Sequence, residues 1–252
     1  MCDLQKAMIW KRVSAFLFDM ILLGIVVVGA AFSLSTILGY DQQSQILAQH
    51  YARYEQEYGV SFDLSEEEYQ ALTPEKQALY GQAYEALMKD QQAARAYSMM
   101  ANLSLVITSI SILLGYLVLE FAVPLLFGNG QTLGKKIFGI GVMRTDGVRL
   151  RPVQLFIRTI LGKYTLETMV PVLVVMMIFL GTIGILGTVL RAALCLGQII
   201  LLAVTRTNSL IHDVLAGTVV IDMGSQMIFD KEEEMIAYKQ KLHAEHAARA
   251  PY

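Results

Sequence analysis

The sequence predicts an all-α fold, a polytopic transmembrane helical bundle with about four spans. Of the 252 residues, 55% are hydrophobic and only 17% are charged, whereas soluble domains carry roughly a quarter charged residues. The apolar residues are grouped into long blocks. The first block, residues 13–38, runs for 26 residues without a Lys or Arg, and a helix needs about 20 apolar residues to cross a bilayer. These observations indicate a multi-pass membrane protein.

Two further features complete the predicted architecture: a helical extracytoplasmic loop, and a small cytoplasmic hairpin followed by an interfacial helix. The segments follow from where apolar blocks alternate with polar stretches. In chain order we predict an N-terminus with the first span (1–38), the helical loop (39–100), the second span (101–127), a basic hairpin with the interfacial helix (128–164), the third and fourth spans (165–205), a cytoplasmic capping segment (206–222) and a cytoplasmic tail (223–252).

The apolar stretch 165–205 is too long for one membrane helix and about right for two. Gly181, Gly184 and Gly187 lie in its middle, where a tight turn would separate spans at 165–182 and 187–205. The alternative is a single helix that continues through Leu190 and is followed by a short re-entrant piece. The sequence leaves both interpretations open.

Charge asymmetry predicts the orientation, because cytoplasmic loops of membrane proteins are enriched in Lys and Arg. The N-terminal segment and the segment 128–168 are basic, whereas the first loop, 39–100, contains ten acidic residues and four basic ones. We therefore expect that loop outside and both termini in the cytoplasm. The first apolar block is too long for the core of a signal peptide, which has roughly 7–15 residues, so we expect an uncleaved helix.

Capping signals predict that the first loop is helical. Ser65 and Glu68 have the spacing of a capping box, and Thr73 followed by Pro74 is typical of a helix start. Gly59 would end a helix that continues from the first span. No proline then follows until Pro124, so the second span is predicted to begin as a soluble helix. A solvated hairpin and a partner-binding ectodomain are both compatible with this pattern.

The segment 128–164 combines a turn signal with an amphipathic stretch. Asp146-Gly147 between apolar residues favours a hairpin. Residues 152–161 then predict a short helix with Arg158 and Lys163 on its polar side, which we expect to lie at the interface near anionic lipid headgroups. The glycine-rich residues 128–136 lack the spacing of a phosphate-binding loop.

Two carboxylates within the apolar blocks are the best candidates for function. Asp19 is predicted to lie about 9 Å, and Glu120 about 10 Å, inside the cytoplasmic edge of the membrane at 1.5 Å of rise per residue. A charge at that depth costs about 2.5–3.5 kcal/mol on insertion scales. If the two faces meet, like charge and desolvation favour one shared proton, as in a proton-coupled cation site. A purely structural role is the alternative.

Other charged residues favour structural interpretations. Arg12 is predicted to pair with Asp213, which would tie the first helix to the segment after the last span. Arg191 is expected to extend toward the outer surface. His212 is expected at the interface as a hydrogen-bonding partner rather than a metal ligand.

The sequence contains no arrangement typical of an enzyme, a metal site or a cofactor site, so we expect none of the three. No basic run suggests nucleic-acid binding. The expected partners are membrane lipids, including anionic headgroups, and a protein bound through residues 41–98 or the C-terminal tail. The leading hypothesis is transport of a small ligand or cation/proton exchange. The alternative is a non-transporting accessory or assembly subunit of a membrane complex.

Three blocks of the sequence, in order, resemble the RDD family of bacterial integral membrane proteins. They are KRVSAFLFDMILLG with Arg12 and Asp19, GQTLGKKIFGIGVMRTDGVRLRPVQLFIRTIL, and SLIHDVLAGTVVI with Asp213. The resemblance covers most of residues 8–222. It implies an all-helical fold in the bacterial cytoplasmic membrane and, through a role proposed for some members, cation/proton antiport. The long first loop departs from the family pattern.

Overall fold

The computed structural model of the chain describes residues 6–179, 185–205 and 209–249, and it is mainly helical. Five helices come first, followed by a region in which short helices and two strands alternate with three longer helices. The helices are α1 (Ile9–Leu38), α2 (Tyr40–Tyr58), α3 (Glu66–Gln70), α4 (Pro74–Lys89), α5 (Gln91–Phe127), α6 (Leu133–Ile137), α7 (Pro152–Phe156, Ile157–Met169 and Val170–Phe179 without a break), α8 (Ile185–Val204), α9 (Ile211–Ala216) and α10 (Glu232–Arg249). The strands are β1 (Ile140–Arg144) and β2 (Thr218–Asp222).

Three helices in the described part of the chain are long and apolar enough to cross a membrane: Ile9–Leu38, Gln91–Phe127 and Pro152–Ile178. This confirms the predicted class of transmembrane helical bundle. The apolar helix α8 lies where the fourth span was predicted. The predicted turn at 181–187 falls mostly on residues 181–184, which are outside the described residues, and the number of spans stays a prediction.

The chain divides into two compact units, one of residues 29–110 and the other of residues 1–28 with 111–252. The unit 29–110 contains the helical loop predicted from the capping signals. Ser65 and Glu68 form the capping box, and α2 ends at Gly59 with a φ of 65°. Phe62 lies at the centre of an aromatic cluster, with ring centroids 5.5 Å from both Tyr51 and Tyr80.

The helix of the second span begins ten residues before residue 101, but it does not continue from the helix that starts at Pro74. Helix α4 ends at Lys89, and α5 begins at Gln91. Between them Asp90 is extended, and its carboxylate accepts hydrogen bonds from the backbone N–H groups of Gln92 at 2.8 Å and Ala93 at 3.3 Å. An aspartate in this position starts a new helix because it satisfies N–H groups that the first turn leaves unpaired.

The other compact unit contains a two-stranded antiparallel sheet, formed by β1 and β2. Strand β1 pairs with β2 in the register Val142↔Val220. The turn predicted at Asp146-Gly147 forms, and the Arg144 N–H donates a 3.0 Å hydrogen bond to the Val148 carbonyl. However, the main partner of β1 is β2, some 75 residues later, a pairing that the sequence analysis did not predict.

Both faces of this sheet are buried, which explains the continuous apolar character of its strands. One face packs in a cluster with two residues of the N-terminal region, and the other packs against residues after β2. The first cluster contains Ala7, Ala15, Ile140, Val142 and Val220, and the second contains Met143, Val219 and Ile221 with Met223 and Ile228 around them. The sheet thereby joins the start of α1 to the polar segments.

The predicted separate interfacial helix at 152–161 is wrong. These residues are the first part of α7, which continues without a break to Phe179. The polar side of this stretch faces protein rather than lipid headgroups, since Arg158 is only 2% exposed. Two segments of the long helices are π-helical, Tyr116–Ala122 in α5 and Ile157–Met169 in α7, and such segments often occur at functional sites.

Candidate functional site: a buried charge cluster

Asp213 is the centre of an ion-pair network at the polar end of the bundle. It lies in the short helix α9, and its side chain is fully buried. Arg158 from α7 donates from Nη1 to Asp213 Oδ1 and, over 2.5 Å, to Thr218 Oγ1. Burial alone would raise the pKa of the Asp213 carboxyl, but the guanidinium groups of Arg158 and Arg12 hold that pKa well below its usual range. Asp213 therefore stays ionised.

Arg12 and Asp213, which the sequence predicted to pair, are brought together. Arg12 Nη2 lies 3.5 Å from Asp213 Oδ2. The nearer partner of Asp213 is Arg158, which the sequence analysis had assigned to the lipid interface. Arg158 faces inward because an arginine on the polar side of a membrane helix is less costly when it faces a buried carboxylate than when it faces hydrocarbon.

His212 joins the same network, since its Nε2 lies 3.6 Å from Asp213 Oδ2. Its Nδ1 lies 2.7 Å from Glu167 Oε2, and its backbone N–H donates to Glu167 Oε1 over 3.0 Å. Burial and the nearby Arg158 lower the pKa of His212. Gly162 permits this close packing, because a Cβ there would lie 2.5 Å from His212 Cβ. His212, expected at the interface, lies at a buried position and contacts Glu167 there.

Asp19 anchors the start of helix α6 to α1. The Thr132 hydroxyl donates to Asp19 Oδ2, and the Gly134 N–H donates to Asp19 Oδ1 over 2.8 Å. The approach is so close that a Cβ at position 134 would lie 2.4 Å from the carbonyl oxygen of Ala15. Glycine is therefore required at this position for α6 to reach the carboxylate of Asp19.

Glu120 has a partner of its own on α7. Lys163 Nζ donates a 2.6 Å hydrogen bond to Glu120 Oε2, and the Thr159 hydroxyl donates to the Glu120 backbone carbonyl over 3.0 Å. Both carboxylates that the sequence singled out thus have separate donors. A shared proton was expected only if the faces of Asp19 and Glu120 met, and the structure instead gives each carboxylate its own set of donors. Asp19 has no ion pair with a base among the described residues.

Lys135 connects the two carboxylates electrostatically. Its side chain comes from α6, the residue is only 8% exposed, and it interacts with both Glu120 and Asp19. Burial, together with the positive charges of Lys163 and Arg158, lowers the pKa of Lys135 to about 7. Within the described part of the chain, Lys135 makes no direct ion pair. In the sequence, Lys135 is distinguished only as one residue of a basic segment.

The signal that distinguishes Lys135 from its neighbour is the helix start at Thr132. The Thr132 hydroxyl accepts from the Lys135 backbone N–H over 3.3 Å, so Lys135 lies in the first turn, on the buried side. Lys136 instead is exposed, and its Nζ lies 3.8 Å from the centre of the Phe127 ring. Two adjacent lysines therefore have different environments.

Together these residues form a buried charge cluster that joins α1, α5, α6, α7 and α9. Its members are four bases, four carboxylates and one histidine: Arg12, Lys135, Arg158, Lys163, Asp19, Glu120, Glu167, Asp213 and His212. With His212 neutral and all other members ionised, the charges balance. Burying so many charges is costly unless they are paired and hydrogen-bonded.

Two remaining predictions concern other positions. The side chain of Arg191, expected to extend toward the outer surface, lies outside the described residues. Residues 207–208 of the predicted capping segment lie outside them as well. In the described ranges, no group of three or more His, Cys, Asp or Glu side chains is placed to hold a metal ion.

Comparison with known proteins gives one match. A model of the RDD family matches residues 6–217, which include every member of the buried charge cluster. No curated protein and no solved structure matches the chain. The match confirms the resemblance found from the three sequence blocks.

Proposed function

Since the chain belongs to the RDD family of membrane proteins, we propose that it exchanges protons for a small monovalent cation at the buried charge cluster. Family membership supports a membrane protein but no particular activity. The observation that carries the proposal is the position of Lys135: a buried base without a direct ion pair in the described structure, interacting with both Asp19 and Glu120.

The charge balance of the cluster explains how the exchange would work. With Lys135 protonated, four positive and four negative side chains balance. When Lys135 releases its proton, one negative charge is in excess, and it is concentrated near Asp19 and Glu120. A monovalent cation restores neutrality. Carboxylate and hydroxyl oxygens are suitable ligands for a small hard cation, and Asp19, Thr132 and Glu120 offer them.

The lowered pKa of Lys135 also predicts the pH range over which the cation binds. A lysine whose pKa is about 7 releases its proton near neutral pH, so cation binding should increase as the pH rises through that range. Each cycle would move one proton against one cation, and the cluster would never hold a net charge in the membrane, where an unbalanced charge is costly.

The test is a transport assay with the full chain in proteoliposomes that enclose a pH-sensitive dye. Adding Na⁺, K⁺ or Li⁺ outside vesicles with an acidic interior should cause cation-dependent proton release with at least one ion. Lys135→Met should abolish this flux. Lys136→Met is the matched control, since it removes the exposed neighbouring lysine, and it should leave the flux unchanged. Absence of flux in the wild type, or full flux in Lys135→Met, would overturn the proposal.

The alternative function is that of an accessory subunit that docks a partner through the loop. Its supporting observation is the apolar exposure of helix α4, where Leu79 is 40%, Tyr84 43% and Met88 60% exposed. The transport assay separates the two functions, because an accessory subunit would produce no cation-dependent flux by itself.

A further inference from the structure

The two π-helical segments are joined at two levels by polar contacts. Glu120 and Lys163 form the first contact, at 2.6 Å. One turn further from the polar end, the Tyr116 hydroxyl lies 2.8 Å from the Thr168 hydroxyl. The two helices run antiparallel here, since position 116 meets 168 and position 120 meets 163. The hydroxyl pair therefore continues the polar contacts away from the charge cluster and into the apolar part of the bundle.

The hydroxyl pair is shielded by the bundle. Tyr116 is only 9% exposed, and its ring centroid lies 6.0 Å from that of Tyr164. Either hydroxyl can be the donor in this hydrogen bond. A pair of this kind can reverse its direction without any change in the positions of its oxygen atoms.

We infer that the Tyr116–Thr168 pair is a proton relay that leads from the Glu120–Lys163 ion pair toward the apolar part of the bundle. This inference rests on the proposed exchange function. In each transfer, one hydroxyl oxygen accepts an incoming proton as its own proton passes to the other oxygen, and that oxygen releases its proton onward. Within the hydroxyl pair only O–H bonds form and break, a proton that comes from Lys163 leaves its Nζ–H bond, and rotation of the two hydroxyls then restores the starting direction.

The relay is tested by removing single hydroxyls in the proteoliposome assay. Tyr116→Phe keeps the ring and the packing but removes the relay oxygen, so the cation-dependent proton flux should fall by at least about tenfold, a modest value for a positioned proton-transfer group. Thr168→Val should have the same effect, and Thr168→Ser should retain the flux. Tyr164→Phe is the matched control on the neighbouring ring.

A second measurement excludes a merely structural effect. Protection of the purified protein against thermal unfolding by the transported cation should be the same in Tyr116→Phe as in the wild type, because the carboxylates that bind the cation are unchanged. If the wild type shows flux and Tyr116→Phe shows the same flux, the relay is overturned and the exchange function stands. Loss of cation protection in Tyr116→Phe would also overturn the relay. Absence of flux in the wild type would overturn the exchange function and the relay with it.

Discussion

Lys163 donates a 2.6 Å hydrogen bond to Glu120, and this pair joins two π-helical segments in the interior of the bundle. The two side chains are largely buried, at 13% and 11% exposure. Breaking a buried ion pair by removing one partner typically costs about 3–5 kcal/mol, whereas removing both costs less.

We therefore expect Lys163→Met to destabilise the protein by about 3 kcal/mol or more, because it leaves Glu120 as an uncompensated carboxylate. The double variant Lys163→Met with Glu120→Gln should recover much of this loss. Thermal unfolding in detergent measures both. A double variant that is as unstable as the sum of the single changes would contradict the pairing.

Gly134 should not tolerate a side chain. Gly134→Ala would place a Cβ 2.4 Å from the Ala15 carbonyl oxygen and 2.9 Å from Asp19 Cγ, which should cost about 1–3 kcal/mol through backbone displacement. Gly24→Ala is the control in α1, because a Cβ there meets nothing within 4 Å, and it should be neutral or slightly stabilising. Equal melting temperatures for the two variants would show that α6 does not dock closely on α1.

Exchanging the charges of Arg12 and Asp213 should not restore stability. A guanidinium at position 213 would face Arg158, which donates to Asp213 in the native protein. The combined variant Arg12→Asp with Asp213→Arg is therefore expected to be at least as unstable as Asp213→Arg alone. Recovery of the melting temperature in the combined variant would mean that Arg12, rather than Arg158, is the main partner of Asp213.

The stability of the protein should depend on pH through Lys135. Its pKa is lowered from 10.5 to about 7 in the folded protein, so between these two values the unfolded chain binds a proton that the folded protein does not. Stability must then rise with pH across this window, by up to about 1.4 kcal/mol per pH unit. Thermal unfolding between pH 7 and pH 9 measures the slope.

Lys135→Met should flatten this slope, and Lys136→Met should keep it. If the wild type and Lys135→Met have parallel pH profiles, the buried lysine does not titrate near neutral pH.

The sequence by itself determined the membrane class and the family, and it drew attention to Arg12, Asp19, Glu120 and Asp213. The length and composition of the apolar blocks are enough for this, because a bilayer demands about 20 apolar residues per helix whatever the tertiary contacts are. Local signals also located the capping box at Ser65 and the helix end at Gly59, since capping depends on neighbours a few residues away.

Only the tertiary structure decided which charges meet. The helical rise per residue predicted that Asp19 and Glu120 lie at the same depth, but it does not determine the direction in which each side chain points. The donors to Asp19 come from residues 132 and 134, and the donor to Glu120 is Lys163. The pairing of β1 with β2 and the inward direction of Arg158 likewise join residues more than 50 positions apart. Such contacts depend on how whole helices rotate and pack, which is set by the fit of all their side chains together rather than by any local pattern.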